Sequence, residues 1–183
     1  MRVRGSVCSN INAYVQEYHT DKHQQWTDSL SAESQELMKK TKSSDWYPIE
    51  EGILSPTKNM CDMFYSSPKE GAWKSGRYSA EVSLTGIYKV FVVISTPIFL
   101  IKRASRILGT FYDPTEVEVV ENSDKSMLVH FTKLPVQSEY LEFRIAGWME
   151  KALEICGCKN LSIQTPKSIA KGDDLFVVDI KWS

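Results

Sequence analysis

The 183-residue sequence is poor in the residues from which small secreted scaffolds and metal centres are built. It has four cysteines, Cys8, Cys61, Cys156 and Cys158. That is too few for a disulfide framework at this length and fits reduced thiols in a reducing compartment. Cys156-Gly157-Cys158 brings two thiols close, but a zinc knuckle spaces paired cysteines by two to four residues and needs a second pair, and a redox pair needs Cys-x-x-Cys. Neither pattern is present, so no metal is expected. Histidine is scarcer still. His19 and His23 are four apart and would share one helical face, yet without the glutamate of a His-Glu-x-x-His site. His130 lies in a strand, on the same face as Leu128 and Thr132, with no nucleophile in sequence reach.

Other shortages exclude further classes. Gly71, Gly76, Gly86 and Gly109 are too dispersed for a phosphate-binding loop, and Asp173 and Asp174 after Gly172 read as turn formers. No nucleophile, base and stabiliser can be assembled, so an enzyme is not expected. The 22 Lys and Arg against 23 Asp and Glu leave a net charge of -1, which gives no general grip on nucleic acid. The most apolar stretch, Ile87 to Ile101, is cut by Lys89, Ser95-Thr96 and Pro97 and is shorter than the roughly 20 residues of a membrane span. It reads as core. The beginning, Met1 to Ser6, is basic with no apolar region behind it, which predicts a cytoplasmic protein without a secretory signal.

What is present is the composition of one globular domain spanning 1–183, with 42% hydrophobic and 25% charged residues. The spacing divides it into a mainly helical part, 1–113, and a sheet with one covering helix, 114–183. Ile11, Tyr14, Val15, Tyr18, Trp26 and Leu30 recur in threes and fours, predicting two short helices. Ser31 caps a third through Lys42, with basic residues at its end. Ile49 to Phe64 continues a helical stripe past Pro56, Gly71 to Gly76 reads as a loop, and helices are predicted over Tyr78 to Ile94 and Thr96 to Tyr112. After Asp113-Pro114 the period changes. Glu116 to Glu121 alternates in twos, Asn122 to Lys125 is a turn, and Met127 to Thr132 resumes the strand, which predicts a hairpin. Ser138 starts a helix with Leu141, Ile145, Trp148, Ala152 and Ile155 inward and Glu139, Glu142, Glu150 and Lys151 outward, stopped by Gly157. Strands at Leu161 to Gln164 and Leu175 to Trp182 follow. The fold class is therefore α+β, a helical part followed by strand, strand, helix, strand, strand in a four-stranded antiparallel sheet.

Aromatics concentrate in the helical part. Trp46, Phe64, Trp73, Tyr78, Tyr88, Phe91, Phe99 and Phe111 are candidate lining residues of an apolar pocket between helices, where small hydrophobic ligands bind.

This order of elements resembles the superfamily of the haem nitric oxide/oxygen-binding (H-NOX) domain, the 4-vinyl reductase domain and the Golgi-transport TRAPP subunits. Arg4-Gly5-Ser6-Val7, Ala146-Gly147-Trp148-Met149-Glu150-Lys151-Ala152-Leu153, Gly172-Asp173 and Val178-Asp179-Ile180-Lys181-Trp182 carry the resemblance, which is greatest to bacterial members of unknown function. It implies a non-catalytic sensory or small-molecule-binding domain; the alternative is a structural dimerisation or protein-interaction domain. In H-NOX proteins a histidine in the middle of the chain ligates haem iron and a Tyr-x-Ser-x-Arg motif holds the propionates. No histidine stands between His23 and His130 and no Tyr-x-Ser-x-Arg occurs. No cofactor is therefore expected and a haem-based gas sensor is disfavoured. The cysteines that surround the Gly-Asp turn in 4-vinyl reductase relatives are replaced by Leu175 and Phe176. The TRAPP likeness leaves a small apolar ligand, a homodimer or a signalling partner as the expected associations.

Overall fold

The structure, a computed structural model, describes residues 1–85, 99 and 103–183. A short strand β1 (Arg2–Arg4) leads into α1 (Gly5–Tyr18), which buries Val7, Cys8, Ile11, Tyr14 and Val15 along one side. The helix ends where His19 leaves helical geometry at φ -138, and one 3-10 turn (Thr20–Lys22) precedes α2 (His23–Asp28). His19 and His23 consequently do not share a helix face. In α3 (Ala32–Lys40) the Ser31 hydroxyl accepts the Ser34 amide at 3.1 Å, and Lys39 and Lys40 complement the far end of the dipole. A π-helical stretch (Glu50–Leu54) runs into α4 (Ser55–Phe64). Pro56 stands in that helix's first turn, where its missing N–H costs no hydrogen bond.

Two expectations are corrected along this part. Gly71 to Gly76 is not a loop but the interior of α5 (Pro68–Thr85). The small strands β1, β2 (Trp46–Pro48) and β3 (Tyr112–Asp113) form an antiparallel sheet in the order β2-β1-β3, with Val3 opposite both Tyr47 and Tyr112. The predicted helices over Tyr78 to Ile94 and Thr96 to Tyr112 fall largely outside the described residues. Their described portions are helical up to Thr85 and in α6 (Ala104–Gly109), while Tyr112 is already strand.

The C-terminal part follows the alternation in the sequence. Strands β4 (Glu116–Ser123), β5 (Ser126–Lys133), β6 (Ser162–Lys167) and β7 (Phe176–Lys181) form an antiparallel sheet in the order β4-β5-β7-β6. Val117 and Val119 face Phe131 and Val129, which in turn face Phe176 and Val178, so one side of the sheet is an apolar layer. On the other side Glu118, His130 and Val177 lie abreast. Helix α7 (Glu139–Ile155) ends at Gly157, which takes the left-handed conformation at φ 93.

Helices α5 and α7 cross in backbone contact. A Cβ on Gly76 would lie 2.1 Å from the Arg144 carbonyl oxygen, and one on Gly147 would lie 2.2 Å from that of Trp73. Only glycine permits this approach. Beside the crossing Arg77 bonds both Glu150 and Glu154, and Trp73 donates to Glu150 at 2.7 Å. The expectation that Glu142 faces outward is also corrected. Its carboxylate is buried, accepting from Ser168 Oγ at 2.6 Å and from the Ala170 amide at 3.0 Å, because the loop before β7 folds back over the start of α7.

Candidate functional site

The most unusual group in the interior is Arg144, on the turn of α7 that follows Glu142. It is 2% exposed. One terminal nitrogen donates to Ser75 Oγ at 2.7 Å, and the Ser75 hydroxyl donates in turn to the Ala72 carbonyl at 2.9 Å. The positive charge of Arg144 partly offsets the rise that burial imposes on the Tyr112 phenol, while among the described residues Nε has no acceptor. Among the described residues no carboxylate pairs with it, and residues 86–102 contain neither Asp nor Glu. A guanidinium cannot shed its proton to escape burial. A buried charge without a counter-charge costs several kcal/mol. Its neighbours are otherwise neutral: burial pushes the thiols of Cys8 and Cys61 up to about 12, with Arg144 pulling back only in part.

Tyr112 connects this cation to a small cavity lined by Val7, Ser79, Leu108, Phe111, Ile145 and Trp148 as well. Its volume is about 10 Å³, room for one water. Phe111 and Trp148 stand in its wall with ring centroids 6.1 Å apart. Asn10 extends the polar seam along α5, donating to Ser79 Oγ at 2.9 Å.

A second concave region is an open groove of about 440 Å³ on the outside of α1 and α5, lined by Tyr14, Tyr18, His19, Tyr65, Lys74, Arg77, Tyr78, Glu81 and Lys151. Tyr78 packs edge to face on Tyr14 and Tyr18 at 5.4 and 5.9 Å, Tyr14 and Tyr18 lie tilted at 5.0 Å, and His19 stacks on Phe64 at 4.0 Å.

Six of the eight aromatics singled out in the sequence fall among the described residues, and they lie in several places. Phe111 lines the inner cavity and Tyr78 the outer groove. Phe64 covers His19, Trp73 is tied to Glu150, and Trp46 lies on the small sheet beneath the Arg4 guanidinium at 4.0 Å. Phe99 is exposed with Arg103 over its ring, and Tyr88 and Phe91 lie outside the described residues. Sequence reasoning missed Arg144. A signal was there: Tyr140-Leu141-Glu142-Phe143-Arg144 has the outer residues of Tyr-x-Ser-x-Arg, with glutamate at the middle position.

No protein-family model matches the sequence, and no curated protein matches it. Solved structures do. An H-NOX protein from K. algicida in the unliganded Fe(II) state superposes with a TM-score of 0.73 at 12% identity, covering 98% of this chain and 96% of that one. An H-NOX protein from S. oneidensis in the Fe(II)NO state gives 0.76 at 10% identity, covering 98% and 99%. A structure from work on heme distortion in the H-NOX family gives 0.73 at 10% identity, covering 98% and 95%. The chain has the H-NOX fold. These neighbours overturn the expectation that no cofactor is associated with this chain, because they are proteins of iron and haem.

The residues present fit such a group at its carboxylate end, where the orphan Nε of Arg144 lacks an acceptor. At the metal end the three histidines have other surroundings. His19 bonds Tyr65, His23 bonds Asn12 at 2.8 Å, and His130 lies on the side of the sheet away from Val129 and Phe131.

Proposed function

We propose that this chain is a non-catalytic, ligand-binding sensory domain whose ligand is haem or a related apolar group bearing a carboxylate. The observation that carries the reading is Arg144, a permanently charged group with an unused donor buried beside a cavity in a fold shared with haem proteins. Arg144 would bond the carboxylate of the ligand, and Tyr112 and Ser75 would hold the guanidinium in line. When bound, haem supplies an iron able to take a diatomic gas. The chain's part is to admit and orient it.

The same geometry supports a two-state mechanism. The cavity of about 10 Å³ is a closed state, and seating a larger group requires Phe111 and Trp148 to part. The uncompensated charge of Arg144 raises the energy of the closed state, and a ligand carboxylate removes that penalty only in the open one. A ligand with this differential affinity shifts the population, which a partner protein can read. The test is a titration of the purified chain with hemin and with an apolar carboxylic acid, followed by visible absorption and intrinsic tryptophan emission. Saturable binding that Arg144→Met weakens by an order of magnitude or more, about the 1.4 kcal/mol of a lost charge-assisted bond, is expected. Absence of saturable binding to either compound rejects the reading.

A further inference from the structure

We infer that Tyr65 is a redox-active tyrosine that hands its phenolic proton to His19 when it gives up an electron. The Tyr65 hydroxyl stands between two partners, 2.5 Å from the Tyr14 hydroxyl and 3.1 Å from His19 Nε2. Either hydroxyl could donate in the Tyr14–Tyr65 pair; Tyr14, the more deeply buried of the two, is taken as the donor, burial pushing both phenols up. The one proton of Tyr65 is therefore free for His19, and His19 must accept it through an unprotonated Nε2. Burial, with help from Lys22 and Lys74 against Asp21, lowers the His19 pKa and keeps the ring neutral at neutral pH.

This is the arrangement that one-electron oxidation of a phenol requires. An ionised phenol cation is a strong acid, and a base already within hydrogen-bond reach takes the proton as the electron leaves. The step is balanced by an outer-sphere one-electron oxidant, which is reduced by one electron. The Tyr65 O–H bond breaks, an N–H bond forms at His19 Nε2, and a neutral phenoxyl and an imidazolium result; rereduction reverses both transfers. The surroundings suit both products. His19 is held face to face by Phe64 and edge-on by Tyr65, so the acceptor nitrogen stays aimed. Tyr65 lines the outer groove with Lys74, Arg77, Glu81 and Lys151, within reach of an oxidant in solution.

The inference does not rest on haem, and the test uses the haem-free protein. Photo-oxidised tris(bipyridine)ruthenium is the oxidant, and the tyrosyl radical is read by electron paramagnetic resonance. The wild-type radical is expected to be lost in Tyr65→Phe and to lose yield in the wild type as pH falls through the His19 pKa, because imidazolium accepts no proton. His19→Gln, checked by circular dichroism to be folded, should keep Tyr65 but lose the radical at neutral pH and recover it in alkaline buffer. A radical that survives Tyr65→Phe at full yield, resides on exposed Tyr18, or is indifferent to His19→Gln overturns the inference.

Discussion

Gly147 of α7 stands against Trp73 of α5 with so little room that a single added carbon would meet the Trp73 carbonyl oxygen at 2.2 Å. The obstacle is backbone, which cannot swing aside as a side chain would. Gly147→Ala and Gly76→Ala are each expected to lower the free energy of unfolding by about 1–3 kcal/mol or more, as overpacking does. Urea midpoints measure this. An unchanged midpoint in both variants would mean that the two helices do not cross in contact.

Arg144 should behave oppositely with and without ligand. Replacing the buried guanidinium by methionine removes a charge with no counter-charge, and such replacements are often neutral or stabilising by about 1–4 kcal/mol. Arg144→Met is therefore expected to melt no lower than the wild type when both are free of ligand. Added hemin should raise the melting temperature of the wild type more than that of Arg144→Met.

Glu142 has the reverse chemistry, an anion whose burial holds its pKa above the ordinary carboxylate value despite the bonds from Ser168, Ala170 and Ile169. Between the unfolded and the raised folded pKa the native state binds the extra proton, so stability falls as pH rises through that window. Glu142→Gln should flatten this part of the pH profile. Glu142→Ala, which orphans the Ser168 hydroxyl and the Ala170 amide, should cost about 1–3 kcal/mol near neutral pH. Chemical denaturation at several pH values reads both effects.

The thiols give a fourth check. Cys8 and Cys61 are buried with pKa values near 12, and Cys156, at about 11, is less deeply placed. Thiolate is the reactive form, so alkylation of the native protein at neutral pH should reach Cys8 and Cys61 last, after unfolding. Peptide mapping of a timed iodoacetamide reaction gives the order.

Which parts of this molecule could be read from sequence follows from how locally each is determined. The hairpin around Asn122 to Lys125 and the helix from Ser138 to Gly157 are encoded by alternation, periodicity and stop signals within one window, and the structure has both. The small sheet was not legible, because strands of two or three residues contain no full period. Gly71 and Gly76 read as a loop because a glycine's reason for being in a helix is the partner that presses on it, and Arg144 lies 68 positions away from Gly76 in the chain. Glu142 had the same problem, since its bonds come from Ser168 and Ala170. The cofactor expectation turned on a missing histidine and an incomplete motif. It overlooked Arg144, a buried guanidinium whose Nε lacks an acceptor among the described residues. Of the candidate aromatics, Phe111 and Tyr78 line different concavities, and composition carries no information on that separation.

The small sheet also sets an order on events in the chain's synthesis. Its middle strand is residues 2–4, and its flanking strands arrive more than forty and more than a hundred positions later. Strand β1 thus waits with one edge unpaired until Asp113, more than a hundred positions further along the chain, has been made. Loop closure over that separation is an entropic cost met late, so the amino-terminal strand is among the last elements to be locked and a natural first place for the folded domain to open.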